Sequence, residues 1–170
     1  MALEICKGLG WSSPSWIVYP IGGGVGLVGM WKMFKILKNI GWIDRTPRLV
    51  GVQPEGCAPI VKSYNLGRED VEEWKSPRTI ALGLCIPRPL AGRWILRVLR
   101  ESRGLARTVT DQMIRQTLRK LRRDDGLILE PSSAAAFAAL PSLYDDGIVD
   151  ASEDVVVIGT GSGLKTIESL

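Results

Sequence analysis

The chain has 170 residues, enough for one domain spanning 1–170 with a real core, since a domain of that length buries roughly 70% of its unfolded surface. Hydrophobic residues at 45% and charged residues at 24% match globular averages and exclude disordered, collagenous and disulfide-scaffold classes. The 22 Lys and Arg against 18 Asp and Glu leave a net charge of +4, a mild excess gathered mainly around Arg115 to Arg123.

There is no histidine, and Cys6, Cys57 and Cys85 lack metal spacing. A zinc centre and a Ser/His/Asp or Cys/His catalytic group are thereby excluded, and reduced thiols in a cytoplasmic setting are expected. The opening "MALEICKGLGWSSPSW" carries an acid and no long apolar core, so it does not read as a signal peptide. Trp16 to Tyr19 reads as a short buried strand. Leu27, Met30, Trp31, Phe34 and Leu37 then recur at helical spacing, with Lys32, Lys35 and Lys38 on the other side. "RLVGVQP", Arg48 to Pro54, predicts a second strand, and "CAPIVKSYN" a short helix after it.

The stretch from Leu66 to Pro89, broken by prolines, predicts an irregular excursion. Leu90 to Arg103 predicts a helix and "LARTVT" a strand. Thr110 suits the cap of a helix over "DQMIRQTLRKLRR", with Ile114, Leu118 and Leu121 as its inward stripe. In "EPSSAAAFAAL" Pro131 fits a first helical turn and the alanines propagate it. "EDVVVIGTGSGLK" supplies a last apolar strand, Val155 to Ile158, and a glycine turn. Strands that are apolar throughout and alternate with helices predict an α/β fold, a three-layer domain on a buried parallel sheet.

Two predicted strands end in glycine turns, "GGGVG" after Ile21 and "GTGSG" after Ile158. In parallel sheets ligands bind beyond the carboxyl ends of strands, so the two turns can build one site. At the first, glycines allow close approach, and the following helix offers free N–H groups and a positive dipole end, a setting suited to phosphate. The turn lacks the Lys-Ser/Thr ending of a nucleotide P-loop, and a purely structural turn is the competing account. A membrane span is disfavoured because the uncharged run is shorter than about 20 residues, holds Pro20 and meets Lys32 at once. The large apolar residues flanking the glycines exclude a flexible tether. The basic helix Arg115 to Arg123 has no aromatic interleaving or base-reading motif, so a solvated face is expected there and not nucleic-acid binding.

"WIVYPIGGGVGLVGMWKMFKILKNIGWI", "PRLVGVQPEGCAPIVKSY", "EPSSAAAFAAL" and "VVVIGTGSGLK", in this order, resemble the C-terminal half of the threonine synthases. That family shares the tryptophan synthase β-like fold with the serine/threonine dehydratases and uses pyridoxal 5'-phosphate. The resemblance implies that the backbone N–H groups of Gly22, Gly23, Gly24, Val25 and Gly26 hold the cofactor phosphate. It implies that the Thr160 hydroxyl faces the pyridine nitrogen, with Ser162 as the alternative, and that Glu130 stands near the cofactor ring. The competing account is that both hydroxyls satisfy turn backbone and that Glu130 is a helix N-terminal acid. Lys165 does not correspond to the family's cofactor-bearing lysine, and a surface role is expected for it.

In the family that lysine and much of the substrate pocket lie in the front half of the chain, and nothing in these 170 residues resembles them. The resemblance thus implies a C-terminal portion, inactive alone, of an enzyme converting the phosphorylated amino acid O-phosphohomoserine and water to threonine and phosphate. Its implied partners are the missing N-terminal half or a second copy in a homodimer. The alternatives are a noncatalytic phosphate- or cofactor-binding module and a fragment of a dehydratase-like lyase.

Overall fold

Four apolar segments become strands in the computed structural model, which describes residues 1–165: β1 (Trp16–Pro20), β2 (Arg48–Pro54), β3 (Leu105–Val109) and β4 (Val155–Val157). They form one parallel sheet in the order β3-β2-β1-β4. Side chains alternate across it. Ile17, Leu49, Ala106 and Val156 join one apolar cluster, and Trp16, Val18, Val50, Val52, Val155 and Val157 join the other. Both faces are covered, which is why these strands read as continuous apolar runs.

The first face carries α1 (Ala2–Gly8), α2 (Val25–Asn39), α3 (Pro59–Asn65) and α4 (Gly92–Glu101). The predicted stripe of α2 is borne out: Leu27, Met30, Trp31, Phe34 and Leu37 are all buried, while Lys32, Lys35 and Lys38 are exposed. The short α1, with Ala2 and Cys6 turned inward one helical turn apart, has no counterpart in the sequence reading. The second face carries α5 (Asp111–Asp124), α6 (Pro131–Ala138) and α7 (Leu140–Asp145). Thr110 caps α5 as expected, its hydroxyl accepting the Met113 amide at 3.1 Å. The stripe of α5 fades along its length: Ile114 is fully buried, but Leu118 and Leu121 are only half-buried. The reason is length, because α5 has 14 residues and packs on α6, which has 8. Apart from half-buried Phe137 every residue of α6 is buried, and its small side chains let the helix lie close on β1 and β2.

The segment 66–89 is irregular, as predicted, but firmly tied. The Thr79 hydroxyl donates to Asp111 Oδ1 at 2.6 Å, and the Ile80 amide donates to Asp111 Oδ2 at 3.0 Å. The order of the strands matters most for function. From β1 the chain steps outward to β2 and β3 on one side, then crosses back over the other face to place β4 against β1. Strand order therefore reverses between β1 and β4, and the crevice beyond their carboxyl ends is the site this topology offers a ligand. Among the described residues no helix is long and apolar enough to cross a membrane.

Candidate functional site

Both glycine turns open into that crevice. Leaving β1, Ile21 still extends the ladder, its amide donating to the Val52 carbonyl at 2.8 Å. Gly24 then takes φ +77°, in the left-handed region, and forms the N-cap of α2 without any side-chain cap. The first amides of α2 have no intrahelical acceptor by helix geometry, so they face the crevice as donors at a positive helix end. Val25 projects into solvent at 72% exposure. A Cβ on Gly22 would fall 2.6 Å from the Gly83 carbonyl oxygen, so the turn is pressed closely against segment 79–86. In front of Gly23, by contrast, the place of a Cβ meets no heavy atom of the described residues within 4 Å beyond those of the adjoining chain. The turn is backed by protein and open in front.

The second turn is built on α6. Ser133, fully buried in the first turn of that helix, has a hydroxyl that accepts the Gly161 amide at 2.6 Å. The same oxygen lies 3.0 Å from Thr160 Oγ1 and 3.1 Å from the Gly161 carbonyl. With one proton, Ser133 donates to one of these two oxygens. When it donates to Thr160, the Thr160 proton is free to point into the exposed crevice. Ser162 behaves otherwise: its oxygen accepts the Leu164 amide at 3.3 Å, a bond within the turn. Glu130 is the N-cap of α6 but makes no side-chain cap bond, and its amide donates to the Gly161 carbonyl at 3.2 Å. The Glu130 carboxylate rests on Gly161, where a Cβ would collide with Oε1. Lys165 is exposed in the turn Gly163–Lys165.

The predicted residues thus fall into two groups, Gly22 to Gly26 in the turn that leaves β1, and Glu130 with Thr160 and Gly161 beyond the end of its neighbour β4. Three further residues shape the site and were missed in the sequence. Ser133 positions Thr160, and Ser132 accepts the Gly83 amide at 3.0 Å, fixing the segment that backs Gly22. Gln53, fully buried at the end of β2, accepts the amides of Ile60 at 2.9 Å and Val61 at 3.2 Å and donates to the Ile21 carbonyl at 3.4 Å. The available signal was a polar side chain inside an otherwise apolar run, in "VGVQP" and in "SSAAA".

A phosphate ester fits the first group, which presents uncapped amides, a helix N-terminus and space in front of Gly23. A planar ring with a nitrogen acceptor fits the second, where a hydroxyl is held from behind by a buried serine. Among described residues no group of His, Cys, Asp and Glu is placed to hold a metal ion.

The chain is 36% identical to the threonine synthase of Methanocaldococcus jannaschii over 165 residues, which is 97% of this chain and 41% of that protein. It is 30% identical to threonine synthase 2, chloroplastic, of Arabidopsis thaliana, covering 99% of this chain and 33% of that one. The chain therefore spans about two fifths or less of the length of these relatives. Its fold matches an L-serine ammonia-lyase from Rhizomucor miehei with a TM-score of 0.77 at 22% identity, over 98% of this chain and 52% of that one. A threonine deaminase isoform 2 from Solanum lycopersicum matches with a TM-score of 0.75 at 20% identity, over 99% and 46%. A family model described as pyridoxal-phosphate dependent enzyme matches residues 1–161, and the chain belongs to that family.

Proposed function

We propose that residues 1–170 form a single domain, the C-terminal cofactor-binding portion of a threonine synthase-like lyase acting on O-phosphohomoserine. The observation that carries this reading is the placement of two glycine turns at the carboxyl ends of the neighbouring strands β1 and β4, one suited to phosphate and one presenting a supported hydroxyl. When bound, pyridoxal phosphate supplies an electron sink for substrate carbanions. The backbone amides of Gly22, Gly23, Gly24, Val25 and Gly26 would hold its phosphate. Ser133 would donate to Thr160, leaving the Thr160 proton for the pyridine nitrogen. A hydroxyl there would hydrogen-bond a neutral nitrogen, where a carboxylate would keep it protonated. Glu130, lying along Gly161, borders the ring.

In this reading, as the family resemblance implies, the cofactor-bearing lysine lies outside these 170 residues, and the chain alone is inactive. Its partners are the N-terminal portion and a second copy in a homodimer, in the cytoplasm. The threonine synthase likeness extends over 97% of the chain and supports the choice of substrate.

A chimera tests the reading: this chain replaces the matching C-terminal segment of the M. jannaschii protein, and two products are assayed. Phosphate and threonine released from O-phosphohomoserine are expected. A folded, cofactor-loaded chimera that instead deaminates serine or threonine would assign the chain to a dehydratase-like lyase, and one that binds no cofactor would leave only a noncatalytic module.

A further inference from the structure

At the amino ends of β2 and β3, the end of the sheet opposite the glycine turns, lies a cavity of about 530 Å³. Lys38, Arg45, Thr46, Arg48, Glu101 and Arg103 line it, four cations against one carboxylate. That carboxylate is already engaged, because Glu101 accepts from Trp31, Lys35 and Arg97. Of the cations, Arg48 pairs with Glu153 and lies over the Trp16 ring, 4.1 Å from its centre. The other three have no carboxylate partner among the described residues. Arg45 is held by uncharged groups, donating to the Ser13 carbonyl and the Ser15 hydroxyl at 3.4 Å each. Lys38 and Arg103 make no side-chain hydrogen bond or ion pair among the described residues.

Helix ends account for only part of this charge. Lys38 stands in the last turn of α2, and Glu101 ends α4, so both helices finish at the cavity. The carbonyl ends of two helices amount to about one negative charge, which leaves an excess of about two positive charges. The backbone at Arg103 points the same way. α4 closes with the Arg103 amide donating to the Arg100 carbonyl at 3.0 Å and the Gly104 amide to the Leu99 carbonyl at 2.9 Å, and Arg103 takes φ +53°. Glycine is the ordinary residue at that place in such a closure, since a side chain there is strained. Here the strained position carries a guanidinium to the cavity wall.

We propose that this cavity binds a small molecule through a diphosphate group, held by Lys38, Arg45 and Arg103. Guanidinium forks match phosphate oxygens, the ammonium adds a compact charge, and Thr46 offers a hydroxyl beside them. Three cations from three separate segments suit two linked phosphates better than one. The volume lies within the range of small-molecule sites, roughly 300–1,000 Å³. None of these residues belongs to the glycine turns, so binding here is independent of any cofactor held there.

The ¹⁵N-labelled chain is titrated at fixed ionic strength with inorganic pyrophosphate, with ADP and with inorganic phosphate, and the titrations are repeated on Arg103→Gly and Lys38→Gln. Saturable shifts of the amides of residues 38, 45, 46, 48 and 101–104 are expected with pyrophosphate or ADP, and at least tenfold weaker binding with phosphate. Tighter binding of pyrophosphate identifies the inorganic anion as the ligand class, and tighter binding of ADP identifies a nucleotide. Arg103→Gly removes the guanidinium and relieves the strain, so it is expected to melt no lower than the unaltered chain and to bind about tenfold more weakly. Lys38→Gln, at an exposed position, should weaken binding severalfold. Shifts at residues 22–26 would persist in both variants, which separates this cavity from the turn after β1. No saturable shift at the cavity amides, equal affinity for phosphate, or unchanged affinity in either variant would overturn the proposal.

Discussion

Gln53 carries more of the site than its place in an apolar strand suggests. One carboxamide oxygen accepts two amides at the start of α3, and its nitrogen reaches the carbonyl of Ile21, the last residue before the glycines. Replacing it with leucine keeps the volume but leaves the Ile60 and Val61 amides and the Ile21 carbonyl without that partner in a dry interior. Buried donors left unpaired cost about 1–3 kcal/mol each, only partly relieved by relaxation. Gln53→Leu is accordingly expected to lower unfolding stability by about 2–3 kcal/mol, read as a lower urea midpoint at unchanged slope. An unchanged midpoint would mean that the amides find other acceptors and that Gln53 does not fix the turn.

Between elements, the clearest polar tie joins α2 to α4 beside the apolar cluster. Glu101, at the end of α4, accepts the Trp31 indole at 2.9 Å and Lys35 at 3.2 Å from α2, and Arg97 at 2.6 Å from its own helix. These donors, the indole foremost and then Arg97, lower its carboxyl from 4.5 to about 2. A carboxyl depressed by folding stabilises the fold in its ionised form. That contribution is complete above the unfolded value near ~4.3 and is lost as pH falls through about 2. The side chain is 31% exposed, so solvent screening reduces the contribution to about 1–2 kcal/mol. Glu101→Gln should therefore lower stability by that amount at pH 7 and hardly at all at pH 2. Equal losses at both pH values would show that the carboxylate charge contributes nothing and that only packing was disturbed.

At the scale of the whole molecule, the reversal of strand order at β1 places both glycine turns at the carboxyl ends of neighbouring strands, where this topology offers a ligand its crevice. Much of the framework is legible in the sequence. The stripe of α2, the strand Arg48 to Pro54 and the Thr110 cap are all local patterns, written within one or two turns of chain. The pairing of β4 with β1 joins residues far apart in sequence, and periodicity carries no signal for it. The same holds for Ser133 beneath Thr160, a contact that exists only once the sheet is assembled. The short α1 escaped for another reason, since seven residues hold too few turns to show a stripe. The central claim is that the turn after β1 holds the phosphate of the cofactor. Titrating the ¹⁵N-labelled chain with pyridoxal phosphate, and in parallel with pyridoxal lacking the phosphate, tests it residue by residue. The account predicts that the amides of residues 22–26 shift most, with Thr160 following, and that the shifts at 22–26 largely vanish without the phosphate. Shifts centred elsewhere, or equal shifts with both compounds, would contradict it.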